Sequence, residues 1–193
     1  MKHYIIYIPG LGDHYDAGRS TALKFWRLFG VTTQLLPMQW NAGSTYEDKF
    51  KEVMAAIKRA QDAGYAVSLV GESAGASMAL NAAVQASSLY SIVLLAGIAS
   101  TSTPISSYIK ARSPAFAASV AALSKTLAKI DTSNIHIVQA LWDPTVPTRH
   151  NQINGAHAHT IWSIGHIPTI VLCITLLSPF IIMLAKRGKG AQG

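Results

Sequence analysis

Ser73 stands in the pentapeptide Gly71-Glu72-Ser73-Ala74-Gly75. An apolar run, Val67-Ser68-Leu69-Val70, precedes it, and a small-residue segment, Ala76-Ser77-Met78-Ala79-Leu80-Asn81-Ala82-Ala83-Val84, follows it. Strand, G-x-S-x-G, helix is a context in which a serine hydroxyl acts as a nucleophile. A turn this tight drives the serine backbone into a strained conformation and needs neighbours without bulk, which Gly71 and Gly75 supply. Ser73 Oγ would project from the carboxyl edge of a sheet, at a helix N-terminus. Free backbone N–H groups there can meet a developing oxyanion. The pentapeptide alone is a weak pattern in a chain where Gly, Ser and Ala are common. Its weight rests on what the other elements bring to the same edge.

Those elements alternate. His3-Tyr4-Ile5-Ile6-Tyr7-Ile8 reads as a buried strand ending in Pro9-Gly10-Leu11-Gly12-Asp13. Residues 18–29 have helical spacing, with Ala22, Phe25 or Trp26, and Phe29 on one face, and Gly30 as the stop. Val31–Pro37 is a second strand. Ser44-Thr45-Tyr46-Glu47 has the form of a capping box before a helix carrying Phe50, Val53, Met54, Ile57 and Ala60. The elbow strand and its helix come next. Tyr90–Ala96 is a fourth strand, and residues 98–114 read as a loop or short cap over the sheet edge. Phe116, Val120, Leu123 and Leu127 mark another amphipathic helix. Ile135–Leu141 and Ala156–Ile164 are the last strands, the sixth polar enough to lie near an edge. Six strands alternating with helices imply one α/β domain over 1–193. It is a three-layer α/β/α sandwich around a mostly parallel sheet. Sites in such sheets lie at the carboxyl ends of strands. Gly10-Leu11-Gly12, Ser73, Asp143 and His166 all fall there.

Composition narrows the classes. Half the residues are hydrophobic, only 13% are charged, and Cys173 is the sole cysteine, so no disulfide framework within the chain or cysteine-rich metal site is expected. The chain opens Met-Lys-His and enters a strand at once, so no secretory leader is expected and a cytoplasmic location is the default. The net charge of +7 is scattered apart from Lys186, Arg187 and Lys189. No basic stripe interleaves with aromatics, which argues against nucleic acid as a partner. An anionic membrane surface is a fairer match, because the densest cationic cluster abuts the most apolar segment.

The motifs together resemble a small α/β-hydrolase, serine esterase- or lipase-like, lacking the first strands of the full fold and any large cap domain. The resemblance covers nearly all of residues 3–166. Gly71-Glu72-Ser73-Ala74-Gly75 matches the nucleophile elbow, Asp143-Pro144-Thr145-Val146-Pro147 the turn that carries the acid, and Gly165-His166 the pair after the final strand. Pro9-Gly10-Leu11-Gly12 matches the loop usually written His-Gly-x-Gly, with proline replacing the histidine. The resemblance implies Ser73 as nucleophile, His166 as base and Asp143 as its orienting acid. It implies the backbone N–H groups of Leu11 and Ala74 as the oxyanion hole. Gly10, Gly12, Gly71 and Gly75 shape the loop and elbow. It implies no cofactor and no metal.

Other residues compete for these roles. Asp143 before Pro144 could simply start a turn, and Asp131 is the weaker acid candidate. His150, His157 and His159 are alternative histidines. Glu72 reads as a bystander at the rim, and Asp13 and His14 as braces of the loop. Residues 98–130 are a candidate small cap or lid. Ile167–Ala185 carries no charge and is long enough to span a bilayer. It reads as an apolar C-terminal helix packed on the sheet, with a membrane-surface anchor and an oligomer contact as alternatives. Pro179 should kink or break it. The expected activity is cleavage of a carboxylic ester through an acyl-enzyme, with thioesters or amides open to the same machinery. The alternative is a catalytically silent hydrolase-like binding domain, with a membrane surface among the partners open to it.

Overall fold

A computed structural model of the chain describes residues 1–41 and 43–188; Ala42 and residues 189–193, Lys189 of the tail cluster among them, lie outside the described residues. The strands are β1 (His3–Ile8), β2 (Val31–Leu35), β3 (Ala66–Glu72), β4 (Ser91–Leu95), β5 (Ile135–Trp142) and β6 (His157–Ile164). They form one parallel sheet in the order β2-β1-β3-β4-β5-β6. The central strands β1, β3 and β4 are the continuous apolar runs expected of strands covered on both faces. β6 lies at an edge, as its polarity implied.

The helices are α1 (Asp16–Trp26), α2 (Tyr46–Asp62), α3 (Gly75–Gln85), α4 (Ser107–Arg112), α5 (Pro114–Leu127), α6 (His166–Ile174) and α7 (Ser178–Ala185). Two apolar cores divide them. One core gathers residues of α2, α3 and α5, among them Val53, Met78 and Phe116, against Ile6, Leu69 and Leu94. The other gathers residues of α1, α6 and α7, among them Trp26, Cys173 and Ile181, against Ile5, Val70 and Val93. The α2–α3–α5 side also holds a buried polar seam, in which the Ser77 and Ser119 hydroxyls meet at 2.8 Å and Asn81 Nδ2 donates to Ser119 O at 2.8 Å. Two buried helices can approach over polar groups only when those groups satisfy each other.

Some local readings shift. The buried face of α1 is Arg19, Leu23 and Trp26, so of the Phe25 or Trp26 alternative it is Trp26 that turns inward, while Phe29, read as inward, stands in solvent with Phe25. The α2 capping box is closed by Thr45 and Asp48, one residue later than Ser44 and Glu47. Helix α5 packs across α2 and α3 with Val120 and Leu123 in the core, so the surface part of residues 98–130 is the loop and α4.

The apolar C-terminal segment is two helices, not one helix over 167–185. They are bent by 76° at a break before Ser178, and no single helix among the described residues is long and apolar enough to cross a membrane. The break precedes Pro179 because proline is accommodated in the first turn of α7, where its missing N–H leaves no bond unmade. Ser68 Oγ donates to Ala185 O at 2.7 Å and Ser91 Oγ to Leu184 O at 3.0 Å, fastening the end of α7 to the sheet.

At the β5–β6 edge three histidines converge. His136 Nδ1 and His159 Nε2 are 3.2 Å apart, and the His136 and His157 rings stack at 5.1 Å. Burial first, then His159 and His157, push His136 down to about 4. Its folded value lies below its unfolded one, so the unfolded chain takes up a proton that the folded chain refuses as pH falls from about 6.5 to 4. Stability at neutral pH is therefore lost across that window, by roughly 3 kcal/mol at most from this group. Denaturant midpoints measured between pH 7 and pH 4 should fall, and His136→Gln should flatten the slope. A slope unchanged by His136→Gln contradicts this account.

Candidate active site

Strand β3 ends at Glu72 and the chain reverses into α3 within a few residues. Ser73 takes φ 49°, a conformation that L residues rarely adopt and that costs about 1–3 kcal/mol. Neighbouring backbone holds it there. Ser73 N donates to Leu95 O at 2.9 Å, and Ser73 O accepts from Ile98 N at 3.0 Å and Ala76 N at 3.2 Å. The elbow also sits hard against the end of β1. A side chain at position 75 would enter the Ile8 carbonyl, and one at position 71 would come within 2.7 Å of Ala76 Cα. Glycine at both positions is thus a steric requirement of strand-to-helix packing.

His166 is the first residue of α6, directly after Gly165 ends β6. Thr169 Oγ1, one turn on, donates to Ser163 Oγ at 3.0 Å and to Gly165 O at 2.6 Å. The His166 backbone is therefore fixed by a helix whose inner face, Thr169, Ile170, Cys173 and Ile174, is buried. His166 Nε2 is 2.8 Å from Ser73 Oγ, and His166 Nδ1 is 2.7 Å from Asp143 Oδ2. One tautomer satisfies both contacts: Nδ1–H donates to the carboxylate, and Nε2 accepts from the serine hydroxyl. The other Asp143 oxygen, Oδ1, accepts from Thr145 N at 2.8 Å and Val146 N at 2.9 Å. Burial disfavours charge on Asp143, but the His166 contact and these amides outweigh it and hold the carboxyl below its usual range.

The competing candidates lie elsewhere. Asp131 accepts from Ser133 N at 3.0 Å as a turn residue. His157 and His159 belong to the cluster around His136, and His150 is buried in a short 3-10 turn. Among the described residues, no group of three or more His, Cys, Asp or Glu side chains could hold a metal ion.

The loop after β1 reaches the elbow. A side chain at position 10 would come within 2.8 Å of Ser73 Cβ, so only glycine allows this approach. Leu11 N and Ala74 N donate to no other group among the described residues. Beside the loop is a cavity of about 310 Å³ bordered by Leu11, His14, Asn41, Tyr108, Ile109 and Arg112, with α4 as its outer wall.

One part of the site was not read from the sequence. Glu72 is not a bystander: it is 1% exposed and lies at the centre of a polar knot. Tyr7 Oη donates to Glu72 Oε2 at 2.6 Å, and Arg19 Nε donates to the same oxygen at 2.8 Å. Arg19 Nη2 pairs with Glu72 Oε1, towards which Gly10 N also points at 3.4 Å. The third guanidinium nitrogen, Nη1, donates to Gly12 O at 2.9 Å and to Asp16 Oδ1 at 2.8 Å. Arg19 thus straps the Gly10–Gly12 loop to the residue preceding Ser73. Burial and the Glu72 charge together push the Tyr7 phenol well above its ordinary value, so it stays a donor. The available signal was a helix arginine at the spacing of the buried Leu23 and Trp26. Arg19→Met should leave Glu72 buried without its cation and cost about 3–5 kcal/mol in denaturant unfolding, where Glu72→Gln with Arg19→Met recovers part of it. Equal stability of wild type and Arg19→Met would show that the strap carries no load.

The Esterase family model matches residues 39–162, nearly two thirds of the chain. No curated protein matches significantly. Among solved structures, the chain is similar to one from work on LipS and LipT, two metagenome-derived lipolytic enzymes. That likeness has 13% identity, 96% of this chain, 94% of that chain and TM-score 0.70. It is also similar to Est1E from Butyrivibrio proteoclasticus at 16% identity, 95% and 88% coverage and TM-score 0.69. A third is the α/β hydrolase GrgF from Penicillium sp. sh18, at 11% identity, 98% and 91% coverage and TM-score 0.71. At these identities the structures speak for the fold, and the family match runs from before α2 into β6, taking in the elbow and the Asp143 turn. The chain belongs to the Esterase family and has a minimal α/β-hydrolase fold.

Proposed function

We propose that this chain is a serine hydrolase that cleaves a carboxylic ester through an acyl-enzyme. The observation that carries the reading is the pair of contacts on His166, 2.8 Å to Ser73 Oγ and 2.7 Å to Asp143 Oδ2. Ser73 Oγ attacks the ester carbonyl while His166 Nε2 takes its proton. Asp143 keeps Nδ1 protonated and stabilises the imidazolium that forms. The negative charge on the tetrahedral oxygen is met by Leu11 N and Ala74 N, aided by the N-terminus of α3. Collapse expels the alcohol, which receives the proton from His166. Water then attacks the acyl-serine, with His166 as base again, and releases the acid. Thioesters and amides suit the same steps.

The loop and α4 act as a small cap, and the cavity beside Leu11 is the site for one arm of the substrate. At about 310 Å³ it suits a small-molecule ester. Lipolytic activity in a protein of similar fold is in keeping with this choice. A fluorophosphonate probe should label the wild-type protein and not Ser73→Ala. Asp143→Asn should lower kcat for a p-nitrophenyl ester by about 10⁴-fold, because His166 then settles in the wrong tautomer. A folded wild-type protein that resists the probe overturns the proposal and leaves a silent binding domain.

A further inference from the structure

The layer formed by α1, α6 and α7 has an unusual outer side. Its inner side seals the sheet with Trp26, Cys173, Ile174, Ile181 and Ile182. On the outer side Leu28 is 81%, Leu176 80% and Phe25 61% exposed, with Phe29, Val171 and Met183 also outward. These residues converge in space. Trp26 Nε1 donates to Ile174 O at 3.0 Å, drawing the end of α1 to the turn that carries Leu176. Lys186 Nζ donates to Phe29 O at 2.9 Å, closing the other side. Between them an open groove of about 390 Å³ runs past Phe29, Pro179, Met183 and Arg187.

Apart from Asp16, at the first turn of α1, the charges of this layer have one sign. Lys24, Arg27, Lys186 and Arg187 flank the apolar residues. No acid occurs from Ala17 to Phe29 or anywhere after Asp143. The acid at the start of α1, Asp16, is engaged by Arg19. Exposed aromatic and aliphatic side chains flanked by several cations form the pattern of an interfacial contact with an anionic bilayer.

We propose that the α1–α6–α7 layer docks on the surface of a membrane containing anionic lipid. Lys24, Arg27, Lys186 and Arg187 face the headgroups, and Phe25, Leu28 and Leu176 enter the interface. The contact is peripheral. The segment 166–185 stays folded, because its inner side completes the core and its α7 carbonyls accept from Ser68 and Ser91. A second copy fits less well, since a two-fold contact through this face would set cations against cations.

The inference does not rest on the hydrolase reading, and its test separates the two. The intact protein is sedimented with large unilamellar vesicles of phosphatidylglycerol and phosphatidylcholine, or of phosphatidylcholine alone. Binding should favour the anionic vesicles and weaken as NaCl rises from about 0.1 to 0.5 M. Lys24→Gln with Arg27→Gln should lower partitioning to anionic vesicles at least about tenfold. Phe25→Ser with Leu28→Ser should lower it comparably, and all of these positions are solvent-exposed, away from the core. Ser73→Ala should bind like wild type, and the surface variants should hydrolyse a soluble ester like wild type. Three results overturn the proposal: no binding to anionic vesicles, equal binding to both vesicle types, or surface variants that bind undiminished. Self-association that these substitutions abolish, without vesicle binding, assigns the face to a second copy instead.

Discussion

The carboxylate of Glu72 is buried next to Ser73, whose backbone is held at positive φ, and it cannot stay there without partners. An ionised carboxylate loses several kcal/mol of hydration on burial, and only well-placed charge and hydrogen bonds return it. Arg19 and Tyr7 do so, from α1 and β1 respectively. The consequence is geometric. The end of β3, the end of β1 and the first turns of α1 cannot move independently of one another. That joint is where the Ser73 hydroxyl and the Leu11 amide must be held in fixed relation if both are to address one carbonyl group.

The opposite half of the site is fixed differently. Asp143 is held by amides of its own turn, and His166 by the helix that it begins. The apolar C-terminal segment therefore has a role beyond filling the core. Its packing sets the position of the imidazole, which enters the site from a helix start and not from a free loop. The 76° break lets the same segment do two jobs, α6 carrying His166 and α7 covering β3 and β4.

Much of this could be read in the sequence, for a physical reason. Turns at strand ends demand special residues, so Gly10-Leu11-Gly12, the elbow around Ser73, the Asp143-Pro144 turn and Gly165-His166 each announced themselves locally. The alternation of buried strands and amphipathic helices did the same for the sheet. What escaped were pairings between distant residues. Arg19 looks like any helix cation until Glu72, in another element, gives it a reason to be buried. The same holds for Lys49, whose ammonium group is buried on the Met38 carbonyl. The α1 face was read only in part because Phe29 is apolar while Arg19 is charged, and hydropathy alone ranks them the wrong way. The three-histidine cluster required the β5–β6 register, which sets His136 opposite His157.

The central claim is that the constrained Ser73 hydroxyl, facing His166, forms a covalent bond with the acyl group of its substrate. Rapid-quench mixing with an activated ester, followed by peptide mass mapping, tests it without appeal to inhibitors or variants. The account requires a burst of alcohol release approaching one equivalent per chain, with the acyl mass found on the peptide containing Ser73. Hydrolysis without a burst, or an acyl group mapped to another residue, would contradict it.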